Sequence, residues 1–303
     1  MKRLLLFWTI VLWATHGLYA QTCGVAFYNV ENLFDTIPSP FYDDTKFTPQ
    51  GIYRWDTEKY RNKLKGLARV LDEIRADVVG LAEVENEEVV RDLVRTLQTD
   101  YCYIHHTSND HRGIDLAFLY KGDRFEVKKS WLTPSYAGRE FLNVKGLLMG
   151  DSIQFIVCHL PSVFNTKKIR DKALSALEYH VKLTIARNPN HTVVVMGDMN
   201  REYTPELQKR LGYQAPLLKF DSLGYGSYYI QDQWKLIDNI FVCNGQDFCV
   251  SNSGIYIQAY MLHRTQYGRQ PFRTFGSNYY IGGISDHLPV YVILDSQHGL
   301  TVN

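Results

Sequence analysis

The chain has 303 residues, of which 45% are hydrophobic and 21% are charged. This length can bury the core of one large domain or two small ones, and the composition excludes a disordered chain, a collagen-like fibre and a coiled coil. Thirty-three Lys and Arg residues against 32 Asp and Glu residues give a formal net charge of +1. A polycationic nucleic-acid binder carries a large positive surplus, so the net charge gives no support for nucleic acid as a partner.

The first 20 residues have the layout of a secretory signal peptide. Lys2 and Arg3 form a basic start, residues 4–13 are apolar apart from Thr9, and small residues return at positions 14, 17 and 20. The apolar run is about half of the ~20 residues that a membrane-spanning helix needs, and an uncleaved amino-terminal anchor is the alternative. We expect cleavage after Ala20 and a mature chain, 21–303, that has no further membrane span and is secreted or periplasmic.

The rest of the chain alternates apolar runs with polar loops and shows no internal repeat, which predicts a single domain. After a first strand at 25–30 and a loop at 35–55, Asp56 or Thr57 caps a helix whose apolar residues recur at helical spacing up to Ile74. Further helices are predicted at 87–97 and 168–187. Further strands are predicted at 77–82, 101–105, 114–120, 125–130, 141–149, 153–159, 191–196, 236–242, 254–259 and 289–294. This number of strands is too large for a single sheet covered by the predicted helices. It favours two packed sheets with helices on their outer faces.

The five cysteines make an odd set. Cys243 and Cys249 lie six residues apart across a predicted turn, and in an oxidising compartment they form the best candidate disulfide. Cys158 lies in an apolar strand and is expected to be a buried small hydrophobe. No Cys-x-x-Cys pair indicates a structural zinc site.

Polar side chains interrupt or end several of these strands, where rigid backbone can position catalytic groups. Any one of them is more commonly a turn or capping residue. Asp238, however, lies among β-branched and aromatic residues, and a carboxylate there is costly unless a protonated histidine or a metal ion pairs with it. Together the set matches an oxygen-liganded hard cation with acid–base groups beside it. Its members are Asn29, Glu31, Glu83, His159, Asp198, Asn200, Asp238, Asp286 and His287.

These residues stand in blocks that resemble the endonuclease/exonuclease/phosphatase superfamily, which includes deoxyribonucleases, neutral sphingomyelinases and inositol polyphosphate 5-phosphatases. The resemblance covers about residues 25–294, and the opening stretch 27–35 looks like a bacterial branch. It implies an α/β fold, a four-layer α/β/β/α sandwich of two mixed, mostly antiparallel sheets, with the active site at one edge between them. The blocks are Tyr28-Asn-Val-Glu31, Leu81-Ala-Glu83, Cys158-His-Leu-Pro161, Gly197-Asp-Met-Asn200, Ile237-Asp238 and Ser285-Asp-His287.

The resemblance also implies roles for these residues in hydrolysis of a phosphate ester by water, with Mg²⁺ or Mn²⁺ as cofactor. Glu83 would be the principal metal ligand, with Asn29, Glu31 and Asp286 close to the ion. Asp198 would orient or deprotonate the water. Asn200 would donate to the phosphoryl oxygens. His287, held by Asp238, would face the scissile phosphate. His159 would stabilise the phosphorane or help the leaving oxygen.

Two substrate-binding candidates have open alternatives. Arg139 resembles a phosphate-contacting arginine but could equally be a surface residue. Asp115 could buttress His159 or face solvent. The segment 264–275 interleaves three arginines with three aromatic residues and could grip phosphates and bases, although a solvated loop is the commoner explanation.

The leading functional hypothesis is a secreted, monomeric, metal-dependent phosphoesterase that cleaves phosphodiester bonds, with a nucleic acid as substrate. The first alternative is a phosphatase or phosphodiesterase that acts on lipid headgroups or inositol phosphates. The remaining alternative, from another class, is a non-catalytic binding protein on the same scaffold.

Overall fold

The structure, a computed structural model, describes residues 22–135, 138–202, 204–211, 214–245, 247–266 and 268–297. The predicted signal peptide at 1–20 lies outside these residues. No helix within the described ranges is long and apolar enough to cross a membrane.

Strands outnumber α-helices in the described residues. In chain order the elements are β1 (Thr22–Leu33), α1 (Thr57–Ile74), β2 (Val78–Val84), α2 (Glu87–Thr96), β3 (Cys102–His105), β4 (Asp115–Tyr120), β5 (Phe125–Thr133), β6 (Phe141–Leu148), β7 (Asp151–His159), α3 (Lys167–Arg187), β8 (Thr192–Asp198), α4 (Pro205–Leu211), α5 (Leu218–Ser222), β9 (Tyr228–Ile230), β10 (Gln233–Lys235), β11 (Asp238–Cys243), β12 (Phe248–Ile255), β13 (Leu262–Thr265), β14 (Gly268–Pro271) and β15 (Val290–Ser296).

Two large sheets form the centre of the protein. One has six strands in the order β12-β15-β1-β2-β4-β3, and the other has five in the order β11-β8-β7-β6-β5. Each contains one parallel pair, β1 with β2 and β7 with β8, and the other pairs are antiparallel. A parallel pair needs a long crossover connection, and α1 and α3 supply the two. The four-layer α/β/β/α sandwich is therefore confirmed.

The inner faces of the two sheets pack against each other through aromatic and aliphatic side chains. The rings of Phe118 on β4 and Phe155 on β7 lie 5.2 Å apart, and both are fully buried. Gly80 marks a close approach, because a Cβ atom there would lie 3.0 Å from the sulfur of Met196 and 3.2 Å from Val157 Cγ1. This packing holds the edges of the two sheets together.

The outer face of the six-stranded sheet is covered by α1 and α2. Asp56 caps α1, as predicted, because its carboxylate accepts a hydrogen bond from the backbone N–H of Lys59 at 3.0 Å. Lys63 lies on the buried side of this helix and is 1% exposed. Its Nζ donates to Thr274 Oγ1 at 2.6 Å and to the carbonyl of Ile284 at 3.0 Å, so it ties the loop between β14 and β15 to the helix.

Two predictions about the second half of the chain are wrong. The strand predicted at 254–259 is instead β12, which ends at Ile255, because the next backbone N–H, that of Tyr256, turns to the carbonyl of Pro289. No disulfide joins Cys243 and Cys249. Cys243 ends a strand of the five-stranded sheet, whereas Cys249 lies in the six-stranded sheet beside Asp295, so the two strands carry the thiols into different layers. Cys158 is fully buried, as expected.

Replacement of Lys63 with methionine is expected to lower the free energy of unfolding by about 3 kcal/mol, because a buried cation and its two hydrogen bonds are lost beside the buried Glu31. Urea denaturation followed by circular dichroism measures the change. Lys65→Met, at an exposed position of the same helix, is the control and is expected to change stability by less than about 0.5 kcal/mol. Equal effects of the two replacements would show that Lys63 does not anchor the loop.

Candidate active site

The topology brings four strand ends to one edge of the sandwich. The parallel pairs place the carboxyl ends of β1 and β2, and of β7 and β8, side by side within their sheets. A hydrogen bond of 3.1 Å from Asn29 Nδ2 to Asp198 Oδ2 joins the two sheets at this edge. His159, Asp198 and Asp238 are register neighbours across β7, β8 and β11. Three of the predicted residues are thus adjacent because of strand pairing alone.

The predicted pair of Asp238 and His287 is present. Asp238 is fully buried, and its Oδ2 lies 2.7 Å from His287 Nδ1. Burial alone would lower the pKa of His287, but the charge and the hydrogen bond of Asp238, together with Asp286 and Asp198, raise that pKa well above its usual value. The ring of Tyr228 packs against the imidazole at 4.7 Å. His287 is therefore a protonated donor whose Nε2 points away from Asp238 and towards the other carboxylates.

Asp198 lies between the two histidines. Its Oδ2 is 3.7 Å from His159 Nε2 and 3.8 Å from His287 Nε2. The backbone N–H of Asn200 donates to Oδ1 at 2.8 Å. Burial, followed by the nearby charge of Asp238, raises the pKa of Asp198 to about 7. The carboxylate can therefore exchange a proton near neutral pH.

His159 has the opposite protonation state from His287. Burial, followed by the positive charges of Arg139, Arg112 and His287, lowers its pKa well below the usual value. Two imidazoles whose pKa values are shifted in opposite directions thus lie near the same oxygen of Asp198, a separation of pKa values typical of acid–base sites.

Glu83 and Asp286 are the predicted metal ligands that line the cleft. Glu83 stands at an irregular point of β2 with a φ of 68°, its Oε2 accepts the backbone N–H of Asn32 at 2.9 Å, and its Oε1 lies 3.7 Å from His159 Nε2. The Oδ2 atom of Asp286 lies 2.7 Å from Arg273 Nη2, and its Oδ1 atom lies 3.8 Å from His287 Nε2. Both line the cleft, and such oxygens fit Mg²⁺ or Mn²⁺.

Asp198, Asp238 and His287 also offer ligand atoms within 4.8 Å of one another. The Nδ1 atom of His287 is already paired with Asp238, and the raised pKa of the ring favours the protonated imidazole, which has no free lone pair. These three residues can therefore serve in acid–base chemistry, and the same atoms are close enough to hold a metal when the ring is deprotonated.

Glu31 lies apart from the other predicted ligands. It is 3% exposed, and its carboxylate accepts the backbone N–H groups of Thr274 at 2.6 Å and Phe275 at 3.1 Å. The described wall of the cleft includes Glu83 and Asp286 but not Glu31. Asn29 is nearer the centre, since its side chain contacts Asp198, while Asn200 donates from Nδ2 to the carbonyl of Leu160 at 2.7 Å.

Arg139 is not a surface residue. It is 8% exposed, lines the cleft, and is held by Asp110 through a contact of 2.7 Å between Nε and Oδ2. The structure supports neither alternative for Asp115, which is buried and whose carboxylate bonds to His105 Nε2 at 2.9 Å and to Ser108 Oγ at 2.6 Å. These bonds occupy its oxygens and leave it a structural partner of His105.

The acid–base residues open onto a cleft of about 1010 Å³. Basic side chains are prominent in its wall: Arg112, Arg139, Lys167, Arg170, Arg201, Arg210 and Lys235. Phe164, in the connection between β7 and α3, is 96% exposed at the same cleft. Of these residues the sequence analysis named only Arg139, because most of the others lie in loops and helices whose position at the cleft depends on the fold.

Comparisons with known proteins identify the family and the fold. The sequence profile of the Endonuclease/Exonuclease/phosphatase family matches residues 24–296. No curated protein matches the chain.

Three solved structures illustrate the fold likeness. A family protein from Bacteroides thetaiotaomicron is 18% identical, with a TM-score of 0.63 over 91% of this chain and 95% of that one. The mannosyl-6-phosphatase of Bacteroides thetaiotaomicron VPI-5482 is 18% identical, with a TM-score of 0.62 over 90% and 99%. Truncated TDP2 of Caenorhabditis elegans is 17% identical, with a TM-score of 0.58 over 90% and 97%.

At such identities the structures show a shared fold, whereas the sequence profile extends over most of the chain and includes every strand that carries the site. The chain belongs to the endonuclease/exonuclease/phosphatase family of metal-dependent phosphoesterases.

Proposed function

We propose that the protein is a secreted phosphodiesterase that depends on Mg²⁺ or Mn²⁺ and cleaves a nucleic acid by in-line attack of water. The observation that carries the proposal is the placement of Asp198 between a neutral and a protonated histidine at the floor of a basic cleft. Export is inferred from the signal-peptide layout of residues 1–20, and we expect a monomer.

Asp198 is suited to hold and deprotonate the attacking water. Asn29 and the backbone of Asn200 fix its carboxylate, and its pKa of about 7 makes it a stronger base than an ordinary aspartate. His287, held by Asp238, is suited to donate a hydrogen bond to the phosphoryl oxygens as charge grows on them. His159, at the side of Glu83, is suited to stabilise the leaving oxygen.

Glu83 and Asp286 would hold the divalent ion, which when bound neutralises charge on the phosphoryl group. Arg139 adds a fixed positive charge in the cleft, because Asp110 restrains its guanidinium. Phosphate groups adjacent to the scissile one would contact the remaining basic residues of the wall.

The cleft favours a nucleic acid over a small ester for two reasons. Its wall carries seven basic side chains against five acidic ones, and several of the basic side chains are paired with acidic neighbours. Together with a bound divalent ion, this positive surplus favours a substrate that carries more than one phosphate. Phe164 exposes a whole aromatic face at the cleft, and such a face stacks on nucleobases irrespective of sequence. A lipid headgroup, an inositol phosphate or a sugar phosphate remains the alternative substrate, the last being what the name of the mannosyl-6-phosphatase indicates for that relative. The intact acid–base group speaks against a purely binding role.

Asp198→Asn and His159→Gln are each expected to lower kcat/KM by about 10²-fold or more, because each removes a group that acts on the reacting atoms. Initial rates with Mg²⁺ on plasmid DNA, RNA, sphingomyelin and inositol phosphates measure the effect and identify the substrate. Asp123→Asn, at an exposed position in the turn before β5, is the control. Unchanged turnover in either active-site variant would remove that residue from the mechanism.

The rate is expected to depend on pH with an acid limb near 7 rather than near 4. Since burial raises the pKa of Asp198, the basic form is lost as the pH falls through that value, and kcat/KM falls with it. A profile of kcat/KM between pH 5 and 9 tests this. A flat profile from pH 5 to 8 would contradict the assignment of Asp198 as the base.

Phe164→Ala is expected to raise KM for single-stranded DNA about tenfold, because one stacking contact is lost, and to leave hydrolysis of glycerophosphocholine unchanged. Tyr179→Ala, which removes an exposed aromatic ring on α3, is the matched control. A loss confined to sphingomyelin vesicles would favour the lipid substrate instead.

A further inference from the structure

Arg273 is a fixed positive charge between two acidic side chains of the site. Its Nη2 lies 2.7 Å from Asp286 Oδ2, and its Nε lies 3.8 Å from Glu31 Oε1. Asp286 lines the described cleft and Glu31 does not, so Arg273 stands between the cleft wall and the buried carboxylate behind it.

The fold determines where this guanidinium lies. Thr274, the next residue, is fully buried, its backbone N–H donates to Glu31 and its hydroxyl accepts from Lys63. The N–H of Phe275 is held by Glu31 as well. Because two consecutive residues after Arg273 are clamped, its side chain starts from a fixed backbone, although the side chain itself is 45% exposed.

The same contacts occupy the carboxylate oxygens on this side of the site. Both oxygens of Glu31 accept backbone N–H groups, and one oxygen of Asp286 is taken by Arg273. A cation bound on this side would have to displace these donors and would lie against the guanidinium, which repels it. On the other side, Glu83 Oε1 and Asp286 Oδ1 have no such donor within hydrogen-bond distance among the described contacts, since their nearest ionic partners are 3.7 and 3.8 Å away.

We propose that Arg273 acts as a built-in cation that restricts the site to one divalent ion, bound on the Glu83 side of Asp286, and that Glu31 positions Arg273 instead of ligating metal. This inference rests on the proposed function in one respect, namely that the divalent ion binds at Glu83 and Asp286.

The number of ions tests the proposal without turnover. The full mature chain, with no substrate present, is titrated with Mn²⁺, and bound ion is measured by electron paramagnetic resonance and equilibrium dialysis. One bound Mn²⁺ per chain is expected, and two would overturn the proposal. Because binding is measured alone, a protein that binds one ion but cleaves no nucleic acid would refute the proposed function and leave this inference standing.

The variant Arg273→Met tests the role of the charge. Its removal is expected to raise the number of bound Mn²⁺ ions from one to two, because the guanidinium no longer repels a second ion. It is also expected to tighten binding of the first ion about three- to tenfold, because the charge of Asp286 is no longer offset by Arg273 and part of that gain is screened by solvent. Arg264→Met, at an exposed position on β13, is the control and is expected to bind Mn²⁺ as the parent does. Weaker Mn²⁺ binding by a folded Arg273→Met protein would show that Arg273 only orients Asp286. Arg273→Lys retains a charge, so it is expected to bind a single ion, and two ions there would count against the proposal.

Discussion

The buried ion pair between Asp238 and His287 is the interaction on which the rest of the site depends. A fully buried carboxylate is costly without a positive partner, and the imidazole supplies one at 2.7 Å. The pair fixes the proton of His287. After burial, the charge of Asp238 is the next largest cause that raises the pKa of Asp198, and the charge of His287 opposes it. Removal of either member would therefore alter the charge at both His287 and Asp198.

The sandwich provides the geometry that this pair requires. Each sheet contains a single parallel strand pair, and each parallel pair is closed by a helix crossing on the outside. The ends of β1 and β8, from different sheets, then meet closely enough for Asn29 to donate to Asp198. Close packing at Gly80 and the aromatic contacts between the sheets keep that distance short. The acid–base group is thus held by the most rigid part of the molecule, whereas the cleft wall consists largely of loops and helices.

The sequence was a good guide wherever the cause is local. Strand ends and the spacing of the blocks identified Glu83, Asp198, Asp238 and His287, because an apolar run interrupted by a polar residue is visible in one segment. The orientation of the Glu31 side chain could not be predicted from its own segment. It depends on a left-handed backbone with a φ of 51° and on backbone N–H groups more than 240 residues away.

Asp115 was misjudged for a related reason. Its partner His105 is near in sequence, but only the antiparallel pairing of β3 and β4 makes the two side chains neighbours. The predictions of a strand at 254–259 and of a Cys243–Cys249 disulfide were wrong because the chain moves from one sheet to the other between β11 and β12. No pattern in the turn between these strands reveals that change of layer. The small hairpins β9–β10 and β13–β14 lack the apolar alternation that marks a strand buried on one face.

The connection from β7 to α3 begins directly after His159 and includes Phe164 before α3 starts at Lys167. Residues at its tip face solvent and do not pack on either sheet, whereas His159, from which it departs, lies beside Glu83 and Asp198. Exchange of the tip could therefore redirect the enzyme to a different ester while the chemical step is preserved. A short stretch of chain of this kind is where divergence within a lineage would cost the least stability.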